Sequence, residues 1–343
     1  MRVAMYYNNK DVRLQELPRP KIGAGEVLVK IMASGICGSD VMEWYRIKKA
    51  PLVLGHEVAG EIAEVGAGVA GCAVGDRVVV SHHVPCNTCR YCLSGNHTAC
   101  HTLHTTNFDP GGFAEFVRMP ALNVDRGILR LPPEVSFEEG TFVEPLGCVA
   151  RGQRVAGLQP AQSVLVLGSG ISGLLHIQLA RALGAGRIVA TDISAYRLDA
   201  ARRMGADVTL DAREDVPARL REVNDGRGAD LVIICASAMS AYQQALKAVE
   251  PGGVVQFFAP TLPGVELPVP VNDFWRNSIT LLPSYGAAPA DLAIALDLIR
   301  FGRVKVREMI THRLPLEEAG AGFQLVAEAR ESIKVILLPH GKA

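Results

Sequence analysis

The chain carries no excess of charge of either sign. Its 35 Lys and Arg residues are matched by 35 Asp and Glu, so nothing in the balance draws it to nucleic acid or to an anionic membrane surface. It has no long apolar run, and none approaches the roughly 20 residues that a membrane-spanning helix needs. The opening residues 1–10 lack the apolar centre of a secretory signal, which leads us to expect a cytoplasmic protein with reduced thiols. Low-complexity tracts and internal repeats are also missing. What remains suits a substantial buried core: 49% of the residues are hydrophobic and 20% are charged, a composition that disfavours disorder. A chain of 343 residues leads us to expect about two domains.

Four of the eight cysteines crowd into fifteen positions as Cys86, Cys89, Cys92 and Cys100. The pattern is C-x2-C-x2-C-x7-C. Four thiolates at this spacing can close tetrahedrally around one zinc ion with no open position, as in a structural site. Two local disulfides are the alternative, and the missing secretory segment argues against them. A second set mixes ligand types: Cys37 in Ser34-Gly35-Ile36-Cys37-Gly38-Ser39-Asp40, His56 and Glu57 in Gly55-His56-Glu57, and Glu144 in Val143-Glu144-Pro145-Leu146. A thiolate, an imidazole and one or two carboxylates suit a catalytic zinc that keeps a position for water or substrate. Each residue alone also fits an ordinary place: a core cysteine, a solvated glutamate, a carboxylate at a helix entry. Sequence spacing alone does not bring positions 37, 56 and 144 together.

A third motif supplies context. Residues 162–167, QSVLVL, read as a buried parallel strand. They run into Gly168-Ser169-Gly170-Ile171-Ser172-Gly173, and a helical stretch over 174–183 follows. Strand, G-x-G-x-x-G and helix together form a dinucleotide fingerprint. The glycines allow the tight turn, the approach of backbone to pyrophosphate and the packing of helix on strand. The helix N-terminus offers free N–H groups to the phosphates. The next strand, 187–191, ends at Asp192, near the roughly 20-residue spacing of a ribose-binding acid. A carboxylate there repels a 2′-phosphate and favours NAD over NADP. Arg197, just beyond, is either a counterweight in that corner or a solvated helix charge.

Up to about residue 151 the pattern is mainly β. Residues 27–31 and 60–65 alternate like half-buried strands, and 77–80 make another candidate. From Val164 onward, strand candidates at 163–167, 187–191, 207–210, 231–235, 254–259 and 278–283 alternate with helices such as 195–204. That alternation predicts a doubly wound parallel sheet, and six strands fit a complete dinucleotide-binding unit. Leu292, Leu296 and Ile299 mark one face of a later helix that stops near Gly302.

These motifs, with Gly111-Gly112-Phe113-Ala114-Glu115, stand in an order that resembles the zinc-containing medium-chain dehydrogenase/reductase family over nearly the whole chain. Within it, the chain resembles the sorbitol (L-iditol) and L-threonine dehydrogenase branch. The resemblance implies an α/β protein: a GroES-like β-barrel catalytic domain over 1–151 with a zinc lobe at 86–100, a Rossmann NAD-binding domain over 152–287, and a segment 288–343 that returns to the catalytic domain. It implies hydride transfer between a small secondary alcohol and NAD, two zinc ions per chain, and a homodimer or homotetramer; the strand near 278–282 is the candidate edge for pairing, since an exposed edge can extend its hydrogen-bond ladder. Cys37 and His56 become zinc ligands, Glu57 the third ligand, and Glu144 a carboxylate that binds zinc directly or through water. Ser39 matches the hydroxyl that takes the substrate proton.

One departure stands out. Relatives often carry histidine five residues after the zinc cysteine, where it ends a proton relay; here that residue is Met42, and a thioether cannot shuttle protons. Ser39 then passes its proton to water and the cofactor ribose, with Glu43 as a less favoured substitute. Trp44 and Tyr45 resemble aromatic pocket residues, or pack in the core. The stretch Leu282-Pro283-Ser284-Tyr285-Gly286 lacks the arginine that holds the polyol in sorbitol dehydrogenases and leaves Ser284 as the pocket candidate there. Arg46 either contributes to the pocket from the other side or, the favoured reading, is an exposed surface charge. The expected activity is that of a polyol or sugar-alcohol dehydrogenase; L-threonine 3-dehydrogenase is the second enzyme reading, and a non-catalytic dinucleotide sensor is the third.

Overall fold

The apolar segment Val27–Ile36 forms the spine of the N-terminal sheet. The structure is a computed structural model that describes residues 1–341. It has two units, one made of Met1–Gly147 with the segment from Ala287 onward, the other of Cys148–Gly286.

In the first unit a seven-stranded sheet runs in the order Ile310–Pro315, Lys334–Leu338, Val27–Ile36, Glu57–Val65, Arg77–Val80, Ile128–Arg130, and Phe116–Met119 adds to Val27–Ile36. The alternation over residues 27–31 predicts a half-buried strand, yet Val27, Leu28, Val29 and Ile31 are all fully buried. The reason is that both faces are covered. Val27, Val29 and Ile31 join the main core with Phe113, Val117 and Phe323, while the short helix Phe137–Gly140 packs on the strand. Each such side chain contributes roughly 1.5–3 kcal/mol relative to exposure. A smaller sheet of Asp11–Glu16, Arg2–Asn8 and Leu52–Val53 closes the unit.

The register of the spine brings two opposite charges together. Gly35 lies opposite Glu57 on one neighbour and opposite Ile336 on the other. A Cβ at Gly35 would collide with the Glu57 carboxylate and the Lys334 ammonium, so only glycine lets these two groups meet beneath the strand. Cys37 then follows the end of the spine, beside His56 and Glu57 at the start of their strand.

The second unit is a six-stranded parallel sheet in the order Val208–Asp211, Ile188–Asp192, Val164–Leu167, Ala229–Ile234, Val249–Phe257, Thr280–Pro283. Its central strand Val164–Leu167 is buried throughout, as a strand covered on both faces must be. Strand order reverses on either side of it, and that switch point is where doubly wound sheets open a crevice at their carboxyl ends. The strand at 249–257 starts earlier than the expected 254–259, because Val249 pairs with Ala229 before an irregularity in register. The helix Val143–Ala156 carries the chain from the first unit into the second. Among the described residues no helix is long and apolar enough to cross a membrane.

Candidate active site and zinc lobe

The four cysteines of the lobe converge. Cys89 ends the loop before the short helix Arg90–Leu93, which carries Cys92, and Cys100 follows the turn His97–Ala99. Sulfur separations are 3.5 Å for Cys89–Cys92, 3.6 Å for Cys86–Cys100 and 4.0 Å for Cys86–Cys92. A zinc–sulfur bond of about 2.3 Å places tetrahedral sulfurs about 3.8 Å apart, so the set fits zinc. All eight cysteines are free thiols. Hydrogen bonds from the Thr88 side chain and from the Thr88 and Cys89 N–H groups draw the Cys86 thiol down to about 5. Burial and the neighbouring sulfurs push the Cys92 thiol up to about 12. Sulfurs this close do not all ionise without a cation among them. Leu103 is the single buried residue besides cysteine in the lobe's own apolar cluster, too little to hold the loop by packing.

The second cluster brings together Cys37, His56 and Glu57, with one ligand atom from each within 4.8 Å of the others. Asp40, fully buried, lies with its Oδ1 3.3 Å from His56 Nδ1, and its Oδ2 accepts the Cys37 N–H at 3.0 Å. A carboxylate on Nδ1 fixes the tautomer that leaves Nε2 for a metal. Burial opposes charge on His56, but Asp40 and the Cys37 sulfur outweigh it and hold its pKa well above the usual range. Burial likewise opposes charge on Asp40, and His56, Arg46 and the Cys37 N–H together draw it below the usual carboxylate range.

Glu57 gives the clearest sign of a cation. Its Oε2 pairs with Lys334 Nζ, and both residues are buried. Its Oε1 is buried with no hydrogen-bond partner. An orphaned carboxylate oxygen beside a thiol and an imidazole is costly unless something positive fills the gap. The three residues therefore fit a zinc ion with an open position. Two further histidines pack here: the His82 ring stacks 4.9 Å from His56 and 3.8 Å from His83. Burial and the cationic neighbours His56, His104, Arg46 and Lys49 hold His83 down to about 4, so it stays neutral near pH 7.

Glu144 is half-buried on the first turn of the helix Val143–Ala156. Ser39 lies inside the site, with its hydroxyl 3.4 Å from Cys37 Sγ. Met42 precedes the short helix Glu43–Arg46, and Glu43 turns its carboxylate to the Asn9 N–H at 3.2 Å. The Trp44 and Tyr45 rings meet at a tilt of 51° with centroids 5.7 Å apart. Arg46 corrects the reading of it as an exposed surface charge. Its side chain is 17% exposed, and it folds back to donate to Ser39 O at 3.0 Å and Ser39 Oγ at 3.1 Å. A helix of one turn reverses its direction, which charge alone does not reveal.

In the second unit the fingerprint forms the loop between Val164–Leu167 and the helix Ile171–Ala182. Gly168 has φ of +101°, a conformation that favours glycine. A Cβ on Gly173 would strike the Gly168 carbonyl. Gly170 caps the helix, and its carbonyl first accepts from Leu174, so the N–H groups of Ile171, Ser172 and Gly173 are left for phosphate. Asp192 ends its strand with Oδ2 accepting Ser169 N–H at 2.8 Å and Oδ1 accepting Ser194 N–H at 2.9 Å. Each oxygen keeps a lone pair for a ribose hydroxyl. The Arg197 guanidinium lies near Gly170, and its Nε is buried without a partner. These groups fit a dinucleotide. Ser284 also belongs to this unit, where its hydroxyl accepts from Arg151 at 3.4 Å.

Asp40 and Lys334 are site residues not expected from the sequence. Asp40 sits within the Cys-Gly-Ser-Asp motif, which is the signal that could have found it. Lys334 is a lone lysine heading an apolar strand that is buried along its whole length, the one signal that its charge is internal.

Residues 23–132 match the alcohol dehydrogenase GroES-like domain, and residues 172–300 match the zinc-binding dehydrogenase domain. The chain is 33% identical to Probable D-xylulose reductase A of Aspergillus clavatus, over 95% of this chain and 93% of that protein. It is 35% identical to L-threonine 3-dehydrogenase of Pyrococcus furiosus, over 94% and 91% respectively. Among solved structures, the alcohol dehydrogenase TADH from Thermus sp. ATN1 superposes with a TM-score of 0.88 at 30% identity, covering 98% of this chain and 99% of that one.

Proposed function

Because the chain belongs to the zinc-containing medium-chain dehydrogenase/reductase family, we propose that it oxidises a secondary alcohol, polyol or sugar-like, with NAD as hydride acceptor. The observation that carries this reading is the buried convergence of Cys37, His56 and Glu57 around an orphaned carboxylate oxygen. Those three residues would hold the catalytic zinc, with Glu144 as the proposed fourth carboxylate, and Cys86, Cys89, Cys92 and Cys100 would hold the structural one. When bound, zinc supplies the Lewis acidity that lets a hydroxyl lose its proton near neutral pH, and NAD supplies the acceptor for hydride.

The chain's own residues do the positioning. Asp40 holds the His56 ring, and Lys334 holds one oxygen of Glu57. Ser39 takes the substrate's proton; its place beside Cys37 supports that role. Met42 cannot carry the proton onward, and Glu43 is engaged with Asn9, so the proton leaves Ser39 for water. In the second unit Gly168, Gly170, Ile171, Ser172 and Gly173 would cradle the pyrophosphate, Asp192 would take the ribose hydroxyls, and Arg197 lies near Gly170. Trp44 and Tyr45 are the candidate substrate-pocket residues of the first unit, and Ser284 is that of the second.

A cytoplasmic setting belongs to this reading, because the thiolate ligands of both proposed zinc sites must stay reduced. The edge strand Thr280–Pro283, near the exposed Val271 and Trp275, supports pairing of copies into a homodimer or homotetramer. The L-threonine 3-dehydrogenase relative favours a second reading in which the alcohol is that of an amino acid. A sensor without turnover needs neither Cys37 nor His56 and is disfavoured by their convergence.

The test is a panel of secondary alcohols, polyols, inositols and threonine with NAD+, read by NADH formation alongside zinc analysis. Turnover on a polyol with two zinc ions per chain is expected. Turnover on threonine alone would select the second reading, and NADH binding without turnover on any alcohol would select the sensor.

A further inference from the structure

We propose that Arg46 is a positioning residue for Ser39, doing by fixed donation what the missing relay histidine would do by proton exchange. The inference rests on the reading of Ser39 as the group that takes the substrate's proton. Its starting point is the fork that Arg46 makes over one residue: Nε donates to Ser39 O at 3.0 Å and Nη2 to Ser39 Oγ at 3.1 Å. Nη2 also reaches Asp40 Oδ1 at 3.5 Å, and the guanidinium carbon stacks 4.6 Å from the Tyr45 ring centroid. These contacts hold both the backbone and the hydroxyl of Ser39.

The inventory of a hydroxyl makes the consequence specific. Ser39 has one proton and two lone pairs, and arginine has five donors and no acceptor. Arg46 therefore takes one lone pair of Oγ permanently. The Ser39 proton cannot point at Arg46; at rest it points to Cys37 Sγ, 3.4 Å away. One lone pair and the O–H remain for the substrate and for water. During oxidation the alcohol's proton moves to the free lone pair of Ser39 while the proton already on Ser39 passes to water. The alcohol loses one proton, solvent gains one, and Ser39 ends as it began. Arg46 takes part only as a donor and a fixed positive charge, which steadies the negative charge that develops on the neighbouring oxygen. Met42, at the histidine position, leaves that task to a side chain from the short helix that follows it.

The test compares Arg46→Met, Arg46→Lys, Ser39→Ala and the double variant Ser39→Ala/Arg46→Met. A misplaced proton acceptor should lower the kcat of Arg46→Met about 10- to 100-fold with little change in KM. Arg46→Lys should recover part of the loss, since one donor can still reach Oγ. The double variant should be no slower than Ser39→Ala alone, the mark of two residues acting as one unit. Zinc content and NADH binding should match the parent, and a crystal structure of Arg46→Met should show the Ser39 hydroxyl moved or split between rotamers.

Three results would overturn the proposal: an Arg46→Met loss that adds to the Ser39→Ala loss, a raised KM with kcat intact, which would make Arg46 a substrate handle, or an unmoved Ser39 with kcat intact. If the parent turns over no alcohol, the proposed function fails first, and the Ser39 rotamer in the Arg46→Met structure still decides the positioning claim.

Discussion

Within one unit the chain builds two candidate metal sites from different materials. The lobe uses four like ligands from fifteen consecutive positions, has almost no apolar core of its own, and leaves no open position. The Cys37–His56–Glu57 cluster uses three unlike ligands, sits on the rigid central sheet, and is braced from outside by Asp40, Lys334 and Gly35. The difference is a division of labour. Where the metal is the core, the protein supplies only ligands. At the proposed catalytic site the ligands rest on a sheet with a large apolar core of its own, and one oxygen of Glu57 is unpartnered.

The sharpest way to break that contrast is to remove a ligand from each side. His56→Ala or Cys37→Ala should reduce turnover to background and lose one zinc, while NADH binding and folded stability stay near the parent. Cys89→Ser should do the converse: one zinc lost, the lobe open to protease, and much of the turnover kept at moderate temperature, because structural zinc is folding energy for the segment that binds it. Metal analysis with limited proteolysis separates the two patterns.

Next in size is Lys334→Met. Removing one partner of a buried ion pair leaves the Glu57 charge uncompensated, at a cost of about 3–5 kcal/mol. Denaturant unfolding of zinc-free protein should show the full loss, and zinc should restore part of it by neutralising the same carboxylate. Asp40→Asn should act on the metal instead, weakening zinc at the catalytic cluster roughly 10- to 100-fold with no change at the lobe, as read by competition with a chelator. The smallest effect lies in the other unit: Asp192→Ala should raise KM for NAD roughly tenfold, the worth of one charge-assisted hydrogen bond, and narrow the gap to NADP.

The same contrast explains what is legible in the sequence. The lobe is local, so its spacing alone names all four ligands. The parallel sheet announces itself through short apolar runs and the glycine loop, and its strand ends depart by a few residues where pairing begins early, as at Val249. The catalytic cluster depends on register: only the pairing of Gly35 with Glu57 sets Cys37 beside His56. Lys334 reaches Glu57 across 277 residues, and no periodicity encodes that. Arg46 looks like surface in the sequence because its polarity is visible there and its fold-back is not. Glu144 is grouped with the triad by family pattern alone, since its place on the first turn of the helix Val143–Ala156 carries no spacing signal toward positions 37, 56 and 57.

Stepwise chelation tests the central claim most directly. Zinc should be withdrawn from the holoenzyme while bound metal, turnover and resistance to protease at the lobe are followed on the same sample. Turnover should vanish with the loss of one zinc per chain from the Cys37–His56–Glu57 cluster, with the lobe intact, and cleavage within 86–100 should begin only as the second zinc leaves. Turnover that survives the emptying of that cluster would contradict the account.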